Sequence, residues 1–426
     1  MKEIFKLASV PGLVFALVCT GGTFASAQDT AEDEVPRGET VLSRPRPELD
    51  PLGIRTGSFL LFPKLTVEES YNDNIFNVES SKVDDFITLA KPELSLVSDW
   101  NNHALNLRAD ASFVLHADTP SEDFEDYHVG GDGRFDITRD SNIVATVDSS
   151  ILHEDRGSPD DVGGIEPTEF MLTSGSLSFF QKFNRLNFTV DGSQLYYDYD
   201  DVATTAAPVN NDDRDRVESN VSLRVGYEIV PEYEAFAVLS GNVKAYDDAV
   251  DDSGLDRDAH GVRLDVGANF DLGGIVFGDV FVGYRFQDYE DSSLRSIDGL
   301  NFGTGIVWNV TPLTTLNGNI TRVLEETTTA GASGFVATSV SVSADHELLR
   351  NLLLNANLGV TQNNFKGIDQ EDLIYRGGIG AKYMLNRYLY ASMNYDYTQK
   401  ESDVGGGGVA ADYKSNVVTL RLELQL

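Results

Sequence analysis

Cysteine is almost absent: Cys19 is the single thiol in 426 residues. Downstream of it, disulfides and thiol chemistry are excluded, which suits a chain that crosses an oxidising compartment unfolded. Long apolar runs are missing as well. Although hydrophobic residues make up 41% of the chain, no stretch after residue 20 approaches the about 18 apolar residues that a membrane-spanning helix requires, so a polytopic helical membrane protein is excluded. Basic charge is scarce, with 32 Lys and Arg against 68 Asp and Glu and a net charge of -36. A nucleic-acid partner is thereby disfavoured, because the phosphate term would be repulsive. No HExxH, GxSxG or CxxC spacing occurs, so neither a zinc hydrolase nor a serine or thiol enzyme is expected, and no cofactor is.

What the chain does have is alternation. In the last stretch, Val418, Leu420, Leu422, Leu424 and Leu426 alternate with Thr419, Arg421, Glu423 and Gln425. A strand with one apolar and one polar face, running to the terminus, is what closes a membrane barrel, since lipid tolerates no unpaired sheet edge. The same period recurs upstream. Leu105, Leu107, Ala109, Ala111, Phe113 and Leu115 oppose Asn106, Arg108 and Asp110, and Val262, Leu264, Val266, Ala268 and Phe270 oppose Arg263, Asp265 and Asn269. Short turn-like connections such as Gly273-Gly274 and Asn386-Arg387 alternate with long polar loops at 72–84, 117–126, 155–166, 200–214, 247–258, 288–296, 325–334, 364–371 and 400–411. The expectation is an all-β fold: a transmembrane antiparallel β-barrel of about 18 strands with short periplasmic turns and long acidic extracellular loops. An even strand number places both termini in the periplasm of a Gram-negative cell.

Domain organisation follows from composition. Lys2 and Lys6, the apolar run Leu13 to Val18 and Ala25-Ser26-Ala27 read as a signal peptide over residues 1–27. Residues 28–56, rich in Pro, Asp, Glu and Arg and without periodicity, read as a flexible periplasmic arm. Residues 57–426 form the barrel. Acidity concentrates in the loops, as in Asp198, Asp200, Asp201, Asp212 and Asp213. Such loops suit a solvated surface that shares divalent cations with lipopolysaccharide, or loose Ca²⁺ binding. The glycine run Gly405 to Gly408 reads as a flexible loop.

A barrel of this size has a water-filled interior, so inward side chains decide what passes. Counting from the short turns puts Arg108, Arg134, Arg224, Lys382 and Arg421 at one level, and Lys244, Arg263, Arg285 and Arg376 at a second, roughly 13 to 18 Å higher. Lys244, Arg263 and Arg285 fall on three consecutive strands and could form a basic arc for an anionic sugar unit. Asp110, Asp132, Asp136, Asp265 and Asp279 share these faces, so cross-strand pairing that stiffens the wall is the competing reading. Six histidines are present. His103 and His346 abut short turns, His260 faces outward, and His116, His128 and His153 surround one loop region without a metal spacing.

The segment Asp50-Pro-Leu-Gly-Ile-Arg-Thr-Gly-Ser-Phe-Leu-Leu-Phe-Pro63 with Tyr71-Asn-Asp-Asn-Ile-Phe76, and later Trp308-Asn-Val-Thr-Pro-Leu-Thr-Thr315, Thr321-Arg322 and Glu325-Glu-Thr327, resembles the Putative beta-barrel porin 2 family. The resemblance implies an outer-membrane channel that conducts exopolysaccharide, with a periplasmic polysaccharide-export protein as partner. A general diffusion porin and a surface adhesion or matrix-anchoring barrel are the alternatives. Outer-membrane lipid, lipopolysaccharide and the barrel-insertion machinery are the remaining expected partners. Many barrels end in Phe, whereas this chain ends in Leu426.

Overall fold

The computed structural model describes residues 38–158, 161–205, 207–325, 327, 329, 331–405 and 411–426. The expected signal peptide with Cys19, residues 28–37 of the arm and Gly406 to Gly408 lie outside the described residues. A short β1 (Ile54–Thr56) precedes β2 (Phe59–Asn72), β3 (Asp85–Ser98), β4 (Ala104–His116), β5 (Phe124–Thr138), β6 (Ser141–His153), β7 (Glu169–Phe183), β8 (Leu186–Tyr199) and β9 (Arg216–Val230). The second half runs through β10 (Tyr233–Tyr246), β11 (Ala259–Leu272), β12 (Val276–Tyr289), β13 (Ile297–Thr311), β14 (Thr314–Glu325), β15 (Gly334–Leu349), β16 (Leu352–Lys366), β17 (Gln370–Asn386), β18 (Leu389–Val404) and β19 (Tyr413–Gln425). Each strand from β2 onward pairs antiparallel with the next, and β19 returns to β2, so β2 to β19 form a closed barrel of eighteen strands.

Closure runs through the terminal strand in the register Val418↔Tyr71, Leu422↔Val67 and Gln425↔Lys64. The Leu426 N–H also donates to the Pro63 carbonyl at 3.3 Å. Alternation sorts the two faces along the whole sheet: Leu420 is 55% exposed while Thr419 and Glu423 are buried. Outward Val129, Val147, Leu177, Val221, Leu264 and Leu358 are exposed, Leu358 to 71%. No aqueous surface would keep so continuous an apolar band; it is the lipid-facing belt. Aromatic girdles flank it, with Trp100, Phe135, Phe183, Trp308 and Tyr383 toward the short turns and Phe86, Tyr127, Tyr284, Phe286 and Tyr375 toward the loops. Tyr375 and Tyr383 on β17 stand about 20 Å apart along the barrel axis, near the height of an apolar band.

The turns end the strands for local reasons. Gly273 and Gly274 adopt φ of 72° and 73° between β11 and β12, a conformation that costs a side-chain-bearing residue strain. Pro92 has no N–H to give, and the β3–β4 ladder skips from Ala90↔Phe113 to Glu93↔Asp110 around it. Three expected loops are shortened: 364–371 shrinks to residues 367–369, because β16 continues to Lys366 and β17 begins at Gln370, while β5 begins at Phe124 within 117–126 and β18 continues to Val404 within 400–411. Gly367, at φ of 104°, makes the tight β16–β17 reversal possible.

The arm is the larger departure. Residues 38–53 were expected to be flexible, but they are packed into the short-turn end of the barrel against β13 to β18. Val41 is 1% exposed and clusters with Leu49, Leu353, Met384 and Tyr390. Arg46, at 3% exposure, binds Glu347 of β15 at 2.7 Å, the Val41 carbonyl at 2.9 Å and the Arg350 carbonyl at 3.2 Å. Tyr390 donates its hydroxyl to the Leu49 carbonyl at 2.7 Å, and Val41 N–H donates to Thr315 at 3.0 Å. A Pro-rich segment has no strand period to show, yet its few apolar residues find a rim that would otherwise expose Leu353 and Met384 to lumen water.

Candidate solute path through the barrel

The inner wall is built from ion pairs. Across β3 to β6 a chain runs from Lys91 to Asp110 (2.9 Å), Asp110 to His128 (2.9 Å), His128 to Asp148 (3.0 Å), Asp148 to Arg108, and Arg108 to Asp132 (3.2 Å). His153 holds Asp126 at 2.9 Å and His116 lies 3.4 Å from Asp123. The histidines near the loop end are thus engaged with carboxylates of the wall. Among the described residues no group of three or more His, Cys, Asp or Glu is arranged to hold a metal.

The expected basic levels separate once register is known. Arg263 and Arg285 face each other directly, but Lys244 stands opposite Ala259, four residues nearer the loops than Arg263. Arg263 holds Asp265 at 2.9 Å, and Asp265 in turn accepts from Asn301 at 2.7 Å. Arg285 donates to Asn301 at 2.7 Å, and Lys244 lies 3.9 Å from Glu218. At the other level, Lys382 and Arg421 both face Ser392, with Lys382 bound to Glu423 and Arg421 to Glu68 at 2.7 Å. Arg224 binds Glu234, and Arg134 holds Asp136 at 2.7 Å. Arg134 is opposite Ala104, four residues nearer the turns than Arg108. Strand shear spreads each level along the barrel, and carboxylates neutralise most of it. Arg376 differs: it lines the cavity, and among the described residues it has no hydrogen-bond partner and no carboxylate within 4.0 Å.

Loops close on this wall from the other end. Arg156 grips Glu122 through two 2.8 Å hydrogen bonds and reaches Asp161 at 3.4 Å, and its carbonyl accepts from Asn77 at 2.6 Å. Arg214 binds Glu154 and stacks 3.9 Å over the Tyr199 ring. Arg257 holds Asp251 at 2.6 Å and donates to the Thr327 carbonyl at 3.0 Å. Arg156 and Arg214 thereby tie the β2–β3, β4–β5, β6–β7 and β8–β9 loops together, and Arg257 joins the β10–β11 loop to Thr327 beyond β14. The segment between β6 and β7 brings Asp155 within electrostatic reach of Arg376 on β17, far around the barrel. Burial pushes the Asp155 carboxyl above the ordinary range, with His153 and Arg376 pulling the other way. Between loops, wall and arm remains a cavity of about 1150 Å³, reaching from Leu42 of the arm past Asn355, Asn357 and Asn394 to Asp155.

Arg46, Asp155, Arg156, Arg214, Arg216 and Arg257 were not among the expected pore residues. Arginines embedded in acidic loops were the available signal for Arg156, Arg214 and Arg257. Arg216, stacked 4.1 Å from the Tyr197 ring, could have been found from its strand position. Nothing local marked Arg46.

Among solved structures, the chain is similar to Pseudomonas aeruginosa outer membrane protein OpdK, with 12% identity and a TM-score of 0.44 over 86% of this chain and 99% of that one. OccK2 (OpdF) of the same organism gives 13% identity and a TM-score of 0.48 over 86% and 98%. OccAB4 of Acinetobacter baumannii gives 10% identity and a TM-score of 0.45 over 86% and 98%. No curated protein sequence matches. The family model described as Putative beta-barrel porin 2 matches residues 46–426. A closed barrel with a lipid-facing belt, a polar interior and that match make this an outer-membrane porin-like channel, and the chain belongs to the Putative beta-barrel porin 2 family.

Proposed function

We propose that the protein is a passive channel for small hydrophilic solutes, with its long loops at the cell surface and its short turns and both termini in the periplasm. The observation that carries this reading is the narrowing at both ends: Asp155 stands across from Arg376 at the loop end, and residues 38–53 pack inside the turn end. A polymer needs a continuous open bore, whereas small solutes pass a path hemmed in this way. The export of polysaccharide beside a periplasmic export protein is supported by the family resemblance alone, and the pairing of Lys244 with Glu218 and of Arg263 with Asp265, with Lys244 set apart from Arg263 and Arg285 by register, weakens the basic track it would use. Recognition by the insertion machinery through β19, and contact of the acidic loops with lipopolysaccharide through divalent cations, belong to the same proposal.

The test combines a gene deletion with reconstitution. Loss of small-solute uptake with secreted polymer unchanged is the expected phenotype, and purified protein in liposomes should admit small sugars but exclude oligosaccharides. Lost polymer secretion with normal uptake would overturn the reading in favour of export.

A further inference from the structure

The charged pairs of the lumen leave one stretch of wall almost uncharged. On β17, Arg376, Gly378 and Gly380 point inward in succession, each about 7 Å from the next. Gly378 stands between Asn357 and Asp396, and Gly380 between Asn355 and Asn394. With no Cβ on β17, these neighbours lean over it from both sides. A Cβ at Gly378 would meet Asn357 Nδ2 at 2.7 Å, and one at Gly380 would collide with the carboxamide oxygens of Asn394 and Asn355. The glycines thus form a notch in the wall of the cavity, ringed by three carboxamides and one carboxylate and topped by a guanidinium. Among the described residues, none of the five side chains has a hydrogen-bond partner or an ion pair. Every other strand-borne cation described above is engaged.

We propose that this notch is a binding subsite for a monocarboxylate carrying several hydroxyls, a sugar acid of one ring. The proposal rests on the channel reading only for how the ligand arrives. Each carboxamide offers both acceptor and donor atoms, which matches a hydroxyl that must give and receive at once. Asp396 adds a pure acceptor for hydroxyl protons, and Arg376 offers the planar fork that a carboxylate fits in two hydrogen bonds. Gly378 and Gly380 lie about 7 and 14 Å from Arg376 along β17, and the arginine side chain itself reaches about 6 Å, so the gap left to the Gly380 position is on the scale of a sugar ring with its exocyclic carboxyl. Asp155 lies within electrostatic reach of the guanidinium and Asp396 stands opposite Gly378; both repel a second negative charge, so the site discriminates against dianions. A neutral polyol forgoes Arg376, and a simple carboxylate forgoes the amides.

Calorimetric titration of the detergent-solubilised full chain with D-galacturonate, sorbitol and acetate measures binding without requiring conduction. Galacturonate is expected to bind at least about tenfold tighter than either of the others, one charge-assisted pair being worth that much. Arg376→Gln should weaken galacturonate about tenfold and leave sorbitol unchanged. The double variant Asn355→Ala/Asn394→Ala should weaken both hydroxylated ligands and leave acetate unchanged, with heat-modifiable gel migration confirming a folded barrel. Absence of galacturonate binding, or galacturonate affinity unchanged in the folded double variant, overturns the subsite. Absence of conductance in lipid bilayers would overturn the channel reading instead, and the two failures are read on different instruments.

Discussion

Gly130 shows how single positions decide the wall. A Cβ there would collide with the Asp148 carboxylate, which crosses β5 to reach His128 at 3.0 Å and Arg108. Glycine is required by this close approach and not by backbone conformation. Gly130→Ala should therefore push Asp148 aside, strip one partner from His128 and from Arg108, and lower stability by about 1–2 kcal/mol. The temperature at which the barrel unfolds on a heated gel measures this, and an unchanged midpoint would mean that the carboxylate relocates without loss. The sequence announced Arg108, Asp110 and Asp132 as sharing the lumen face, since period two assigns faces without knowledge of the fold. It did not announce the order of the chain, because partner choice depends on where Gly130 leaves room.

Strands were legible where loops and arm were not. Alternation over β4, β9, β11, β17 and β19 fixes both the strand and its lipid face, because a slip of one residue would put Arg421 and Glu423 into lipid. The height of a residue on the barrel is a different matter: Lys244 and Arg263 count alike from their turns, yet register sets them four residues apart. Loop placement was hidden because Arg156–Glu122 and Arg214–Glu154 join segments distant in sequence. The arm was hidden for a related reason, as residues 38–53 take their conformation from a rim that they meet only after the barrel closes. Their hold depends on Arg46, whose loss leaves Glu347, 6% exposed, with Arg44 as its remaining cation. Arg46→Ala should weaken arm docking by about 3 kcal/mol while the eighteen-strand ladder persists. Limited proteolysis should then cut near residue 50 in the variant and spare the parent protein, with single-channel conductance rising as the arm leaves the turn end. Equal protection of both proteins would show that Val41 and Leu49 suffice.

At the scale of the whole molecule, a net charge of -36 gathers at the loop end and sets the field that solutes meet first. Three carboxyls there are shifted upward. Burial raises Asp155 and Asp213. Asp215 is pushed to about 6 by burial, with Asp198, Asp212 and Asp247 adding to the shift and the Tyr199 N–H opposing it. A carboxyl raised in the folded state binds its proton more tightly there than in the unfolded chain. Its contribution to loop stability is therefore full below the unfolded value of 3.8 and is lost as pH rises through about 6. Acidification from neutrality should thus tighten the loops while removing negative charge from the mouth, before ordinary exposed carboxyls respond. In a bilayer under a KCl gradient, the reversal potential should move toward anion preference between pH 7.5 and 5, and Asp155→Asn/Asp215→Asn should show at pH 7.5 most of the shift that the parent shows only in acid. A variant that keeps the full pH response would place the titrating groups elsewhere in the loops and leave Asp155 as a steric element facing Arg376.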